Sequence, residues 1–124
     1  FILRHRHFVV EGPVTPGNQR GKKLGAATAN LDIRLAADLK KGLYTCRVRI
    51  GKSTAEYRGL VYYGYNSLTK LDCLEVHLFD FSADLYGEWL TVTTQKFLRH
   101  EKKFSDPKKL AEQIQKDIKK ALKK

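Results

Sequence analysis

The sequence has no Met, only 2 Cys, 3 Pro and 1 Trp among 124 residues, and each shortage excludes something. Two cysteines cannot build a disulfide framework, and Cys46 and Cys73 both sit in apolar, strand-like runs. They read as free, small hydrophobic residues in a reducing, cytoplasmic setting. With neither cysteine near a second Cys or His at close ligand spacing, a structural zinc site is not expected. No apolar run approaches the roughly 20 residues that cross a bilayer, and no secretory leader opens the chain, so no membrane partner is expected. Few prolines and no low-complexity tract argue against disorder. Residue 1 is Phe rather than Met, which implies a piece of a longer chain. Acidic residues are also scarce, 13 Asp/Glu against 24 Lys/Arg.

What is present fits one compact domain over residues 1–124, since 42% hydrophobic residues can fill a single core. The net charge of +11 is uneven: from Lys96 to Lys124 there are 11 Lys/Arg and 4 Asp/Glu. Such a surplus attracts nucleic acid, anionic lipid or phosphorylated small molecules. It is concentrated on a terminal helix, without an exposed aromatic platform between the charges, which argues against nucleic acid and for a solvated helix face.

Tyr44, Cys46, Val48 and Ile50 alternate with Thr45, Arg47 and Arg49, the period of a half-buried strand. Further strands are expected at Phe8–Gly12, Thr28–Ile33, Ala55–Tyr63, Leu74–Phe81 and Leu90–Leu98, with turns at Gly51 and Gly87 and one helical turn within Leu35–Lys41. The one clear helix is C-terminal. Asp106 before Pro107 gives a cap and a first-turn proline, and Leu110, Ile114, Ile118 and Leu122 then recur every four residues beside Ala111 and Ala121. Five or six short strands at regular turn spacing predict a mainly β fold, a closed or nearly closed antiparallel barrel with one amphipathic helix packed on it.

Chemistry concentrates in two places. Gly21-Lys22-Lys23-Leu24-Gly25 runs into Thr28 and Asn30. Glycines let a backbone approach a ligand, lysines attract phosphate, and Thr28 and Asn30 point the same way on an extended strand. Their hydroxyl and amide oxygens are hard ligands suited to Mg²⁺. Being neutral, they would hold the ion only together with nucleotide phosphates. Gly17, Gly21 and Lys22 do not form a P-loop, because the glycine spacing is one short, Lys23 replaces Ser/Thr and a strand follows. Thr-Ala-Asn can equally be a strand end with a turn-forming Asn.

The second place is Leu74-Glu75-Val76-His77-Leu78. If Leu74, Val76 and Leu78 face the core, Glu75 and His77 line a groove or face solvent. A strand-borne carboxylate is rigidly aimed and carries its charge at neutral pH, which suits a general base; the plainer alternative is an ordinary polar strand face. Together the two places suit phosphoryl transfer, in which cations neutralise phosphates and a carboxylate orients the attacking hydroxyl. Aromatics such as Tyr62, Tyr65, Phe79, Tyr86, Trp89 and Phe104 could floor a pocket or fill the core. The charged segment Arg99–Phe104 could cover a site or be a solvated loop.

In order and spacing these segments resemble the riboflavin kinase family, including the kinase module of bacterial bifunctional FAD synthetases. The resemblance rests on Gly21–Asn30, Gly42-Leu43-Tyr44, Glu75-Val76-His77-Leu78, Leu85-Tyr86-Gly87 and Arg99-His100-Glu101-Lys102-Lys103-Phe104. It implies a six-stranded antiparallel Greek-key-type barrel with one C-terminal amphipathic helix, and ATP-dependent phosphorylation of the riboflavin 5′-hydroxyl to give FMN and ADP. It implies Glu75 as catalytic base, Thr28 and Asn30 as metal ligands, and Gly17, Gly21, Lys22, Gly25, Thr28 and Asn30 at the nucleotide. Arg99 and Phe104 would then contact the flavin. The implied cofactor is Mg²⁺, the co-substrate ATP, and the covalent partner an N-terminal FMN adenylyltransferase module. Ala26 and Ala27 stand where the family carries a bulky residue and a proline, and Lys22 where it carries Arg. These departures keep open a flavin- or nucleotide-binding module with weakened turnover; a basic nucleic-acid-binding barrel is the remaining alternative.

Overall fold

The computed structural model describes residues 7–16, 27–67, 69–81, 83–104 and 106–122. Its strands are β1 (Val9–Pro13), β2 (Ala27–Leu31), β3 (Gly42–Ile50), β4 (Tyr57–Asn66), β5 (Leu71–Leu78) and β6 (Trp89–Arg99), followed by helix α1 (Pro107–Leu122). All pair antiparallel in one six-stranded sheet of order β1-β6-β3-β4-β5-β2. β3, β4 and β5 form a meander and β6 returns beside β3, which is the Greek-key arrangement. The sheet curls until its ends meet: Thr15, just past β1, bridges Asn30 of β2, with its amide donating to the Asn30 carbonyl at 2.8 Å.

Alternation decides which face fills the barrel. Tyr44, Cys46 and Val48 of β3 pack with Val61, Leu74, Val76, Leu78, Leu90 and Val92 in the main core. Burial of each such aliphatic side chain contributes about 1.5–3 kcal/mol. Tyr44 and Phe97 meet edge to face with ring centroids 5.2 Å apart. Burial pushes the Cys46 thiol far above its usual range, so it behaves as a hydrophobic residue.

α1 begins as its capping signal predicts, with the Lys108 amide donating to the Asp106 side chain at 2.8 Å. Its far end is held by Arg58, which donates to the Ala121 carbonyl at 3.0 Å. Ile118 and Ala121 pack on Leu43, Leu60 and Phe79, a second cluster on the outside of the barrel. Leu122, expected in the apolar stripe, is exposed.

β4 runs from Tyr57 to Asn66 and not Ala55–Tyr63, β5 begins at Leu71 and not Leu74, and two further boundaries move for local reasons. β2 ends at Leu31, because Asp32 caps a short 3₁₀ turn over Ile33–Ala36 by accepting from the Arg34 amide. The helical turn therefore precedes most of the expected Leu35–Lys41 stretch. β5 stops at Leu78 and not Phe81, since Asp80 adopts a left-handed conformation at φ 56° and breaks the ladder.

Candidate active site

β5 presents its two faces as its pattern requires. Leu74, Val76 and Leu78 are fully buried in the barrel, which leaves Glu75 and His77 on the outer face. β2 lies on one flank of β5, with Thr28 opposite His77 and Asn30 opposite Glu75. β4 lies on the other flank, with Leu60 opposite His77 and Tyr62 opposite Glu75. Directly opposed residues share a face at close range. Thr28, Asn30, Glu75 and His77, singled out from two distant stretches of sequence, thus form one patch.

Side-chain contacts bind three of these four together. His77 Nε2 lies 3.1 Å from Glu75 Oε1, and His77 Nδ1 lies 3.3 Å from Thr28 Oγ1. Thr28 and His77 are buried, and Glu75 keeps a small exposed edge.

A pocket opens beside Glu75 between the outer sheet face and α1. Tyr62, Cys73, Glu75 and His77 form its floor, with Tyr65, Asn66 and Ser67 at one end. Arg99, Lys102, Phe104, Leu110, Ile114 and Asp117 form its roof. The expected flavin contacts Arg99 and Phe104 therefore line the same pocket as Glu75. Of the aromatics, Tyr62, Tyr65 and Phe104 line it, Phe79 is buried in the outer cluster, and Tyr86 and Trp89 are exposed.

The roof is stitched to the barrel at three points. Arg99 donates Nε and Nη2 to the two carboxylate oxygens of Asp117 at 3.0 and 2.7 Å, a bidentate pair between β6 and α1. The Glu101 carboxylate accepts from the Tyr65 amide at 2.7 Å, and the Phe104 amide donates to Ser67 Oγ at 2.7 Å. Gly64 makes the Glu101 contact possible: a Cβ there would lie 2.8 Å from the Glu101 carboxylate, and its φ of 154° disfavours a side chain. The Arg99 guanidinium also sits 5.9 Å from the centre of the Tyr62 ring. Arg99 is thereby committed to holding α1 in place while its flat face borders the pocket.

Environment narrows the acid–base candidates on the floor. Burial pushes the Tyr62 phenol far above its usual range. Burial, with the Glu75 charge nearby, pushes the Cys73 thiol up to about 12. Cys73 is not a core residue as its apolar neighbours suggest, but a half-buried pocket residue that stays protonated. The other two side chains of the floor are Glu75 and His77, in contact with each other. No group of three or more His, Cys, Asp or Glu that could hold a metal occurs among the described residues. The available donors, the Thr28 hydroxyl and the Asn30 amide, are neutral hard oxygens. Such a set fits Mg²⁺ delivered with phosphates and not a metal held by protein alone.

Gly17, Gly21, Lys22 and Gly25, expected at the nucleotide, lie outside the described residues. Two polar residues of the site had weaker signals in the sequence. His77 stands two residues after Glu75, hence on the same strand face. Asp117 is a single carboxylate beside the apolar stripe of a lysine-rich helix, and it is buried.

A family model described as Flavokinase, riboflavin kinase, matches residues 4–124. A Buchnera aphidicola bifunctional riboflavin kinase/FMN adenylyltransferase is 39% identical over 94% of this chain and 38% of its own length. The chain thus spans well under half of that relative. The fold matches a riboflavin kinase structure from Trypanosoma brucei at a TM-score of 0.64, with 21% identity over 94% of this chain and 78% of that one. A Streptococcus pneumoniae structure described as a macrolide-efflux protein matches at 0.69, with 30% identity over 90% of this chain and 37% of that one. Among the described residues of this protein, no helix is long and apolar enough to cross a membrane.

Proposed function

The chain belongs to the riboflavin kinase family, and on that footing we propose that it transfers the γ-phosphoryl group of ATP to the riboflavin 5′-hydroxyl. The observation that carries the reading is the position of Glu75. It sits at the edge of the roofed pocket, in register with Asn30 and in contact with His77, which also touches Thr28.

The flavin occupies the pocket, with Arg99 and Phe104 against it. Glu75 accepts the proton of the 5′-hydroxyl as its oxygen bonds to the γ-phosphorus. The bond from that phosphorus to the β,γ-bridging oxygen breaks, and ADP leaves. Thr28 and Asn30 would hold Mg²⁺, which when bound neutralises phosphate charge. The glycine- and lysine-bearing segment with Gly17, Gly21, Lys22 and Gly25 would serve the nucleotide phosphates. The setting is cytoplasmic, and an FMN adenylyltransferase module is the covalent partner.

The test is to incubate the protein with riboflavin, ATP and Mg²⁺ and to separate the products. FMN and ADP formed in equal amounts support the proposal. Absence of FMN from a protein that binds riboflavin and Mg-ADP would replace it with a binding module.

A further inference from the structure

His77 is buried on the outer face of β5 and makes two polar contacts, one through each ring nitrogen. We propose that His77 is a positioning residue. Its ring holds the Glu75 carboxylate with one nitrogen and takes the Thr28 hydroxyl proton with the other, so that the Thr28 oxygen presents its lone pairs to a phosphate-bound cation. The proposal rests on the functional reading of Glu75 and Thr28 given above.

A ring protonated on Nε2 alone serves both neighbours and leaves the Thr28 lone pairs free, whereas a ring protonated on both nitrogens would occupy one of them. A carboxylate only accepts, so His77 Nε2, 3.1 Å from Glu75, carries the ring proton. In that neutral tautomer Nδ1 has a lone pair and accepts from Thr28 Oγ1 at 3.3 Å. A hydroxyl has one proton and two lone pairs. With its proton turned into His77, Thr28 can offer both lone pairs to a cation. In the opposite tautomer Nδ1–H would occupy one lone pair of Thr28, and its hydroxyl proton would point toward the cation. The Nε2–H form therefore aims the base and prepares the ligand together.

The backbone supports this role. β4 approaches β5 so closely at Gly59 that a Cβ there would lie 2.3 Å from the His77 carbonyl oxygen. The His77 backbone is thus pinned by β4 on one side and by the Thr28 pairing on the other. Orienting partners of this kind change metal affinity or activity by about 10–100-fold when removed.

The first measurement is the imidazole ¹⁵N spectrum of the ligand-free protein, with the His77 signals assigned from their loss in His77→Gln. A neutral Nε2–H pattern is expected. An Nδ1–H pattern, or protons on both nitrogens, would overturn the proposal.

The second measurement separates the two arms. Asn places its amide oxygen near the Nδ1 position, whereas Gln reaches the Nε2 position. His77→Asn should keep Mg-ADP affinity within about 3-fold and lose about 10–100-fold in kcat. His77→Gln should keep most of kcat and lose about 10-fold or more in Mg-ADP affinity. Equal losses of both quantities in two folded variants would make His77 a packing residue. If neither variant folds, the wild-type tautomer alone decides. A wild-type protein that makes no FMN yet shows the Nε2–H pattern would remove the functional reading and leave the His77 arrangement standing.

Discussion

Glu75 matters because of what lies within reach of its carboxylate. Its strand neighbour His77 contacts it, Asn30 and Tyr62 oppose it on the two flanking strands, and the pocket opens beside it. Asn30→Ala should weaken Mg-ADP binding by about tenfold and riboflavin binding measured alone by much less, as titration calorimetry with each ligand would show. Equal loss of both would mean a misplaced site. Cys73 gives a check on environment. Its thiol is raised to about 12, so the reactive thiolate is scarce near pH 8 and grows as pH rises toward 12. Alkylation of the folded protein near pH 8 should therefore run at least ~100-fold slower than that of a free thiol, which mass spectrometry of the labelled cysteine would quantify. The outward placement of Glu75 was legible in the sequence, because Leu74, Val76 and Leu78 left it no other face. The placement of Cys73 was not legible. Its strand parity matches Glu75, but its apolar neighbours suggested the core, and only the β4 register and the roof show that this face is a pocket.

At the scale of elements, the site depends on how α1 and the Arg99–Phe104 segment are fastened. The Arg99–Asp117 pair is nearly buried, with side chains 16% and 6% exposed. Removing one partner leaves the other charged and unpaired, which costs about 3–5 kcal/mol. Asp117→Leu should accordingly lower stability by that order in urea unfolding and raise the KM for riboflavin. The paired change Arg99→Met with Asp117→Leu should recover most of the stability but not the KM. The capping of α1 by Asp106 and most of its apolar stripe were readable from spacing alone. The Arg99–Asp117 pairing was not, since it joins residues 18 apart through a fold that brings β6 under the helix. The boundary shifts at Asp32 and Asp80 have the same origin: a side-chain cap in one case and a left-handed backbone in the other, neither visible in hydrophobic alternation.

For the molecule as a whole, the Greek-key order explains how residues 28–30 and 75–77 become neighbours. β2 is the edge strand that pairs with β5, and among the described residues its other side is bridged by Thr15. The barrel class follows from turn spacing and alternation. The pairing of β2 with β5 does not, because it depends on which strands close the sheet. The net charge of +11 adds long-range attraction for phosphorylated ligands. Raising ionic strength from about 0.05 to 0.5 M should lower kcat/KM for Mg-ATP by a few-fold, without the loss by orders of magnitude that marks nucleic-acid binding. All of these features bear on one group, the Glu75 carboxylate. The most direct test is the kcat of Glu75→Gln alongside its affinities for riboflavin and Mg-ADP. The account predicts a fall in kcat of about 10²–10⁴-fold with both affinities within a few-fold of wild type. A kcat within threefold of wild type would contradict it.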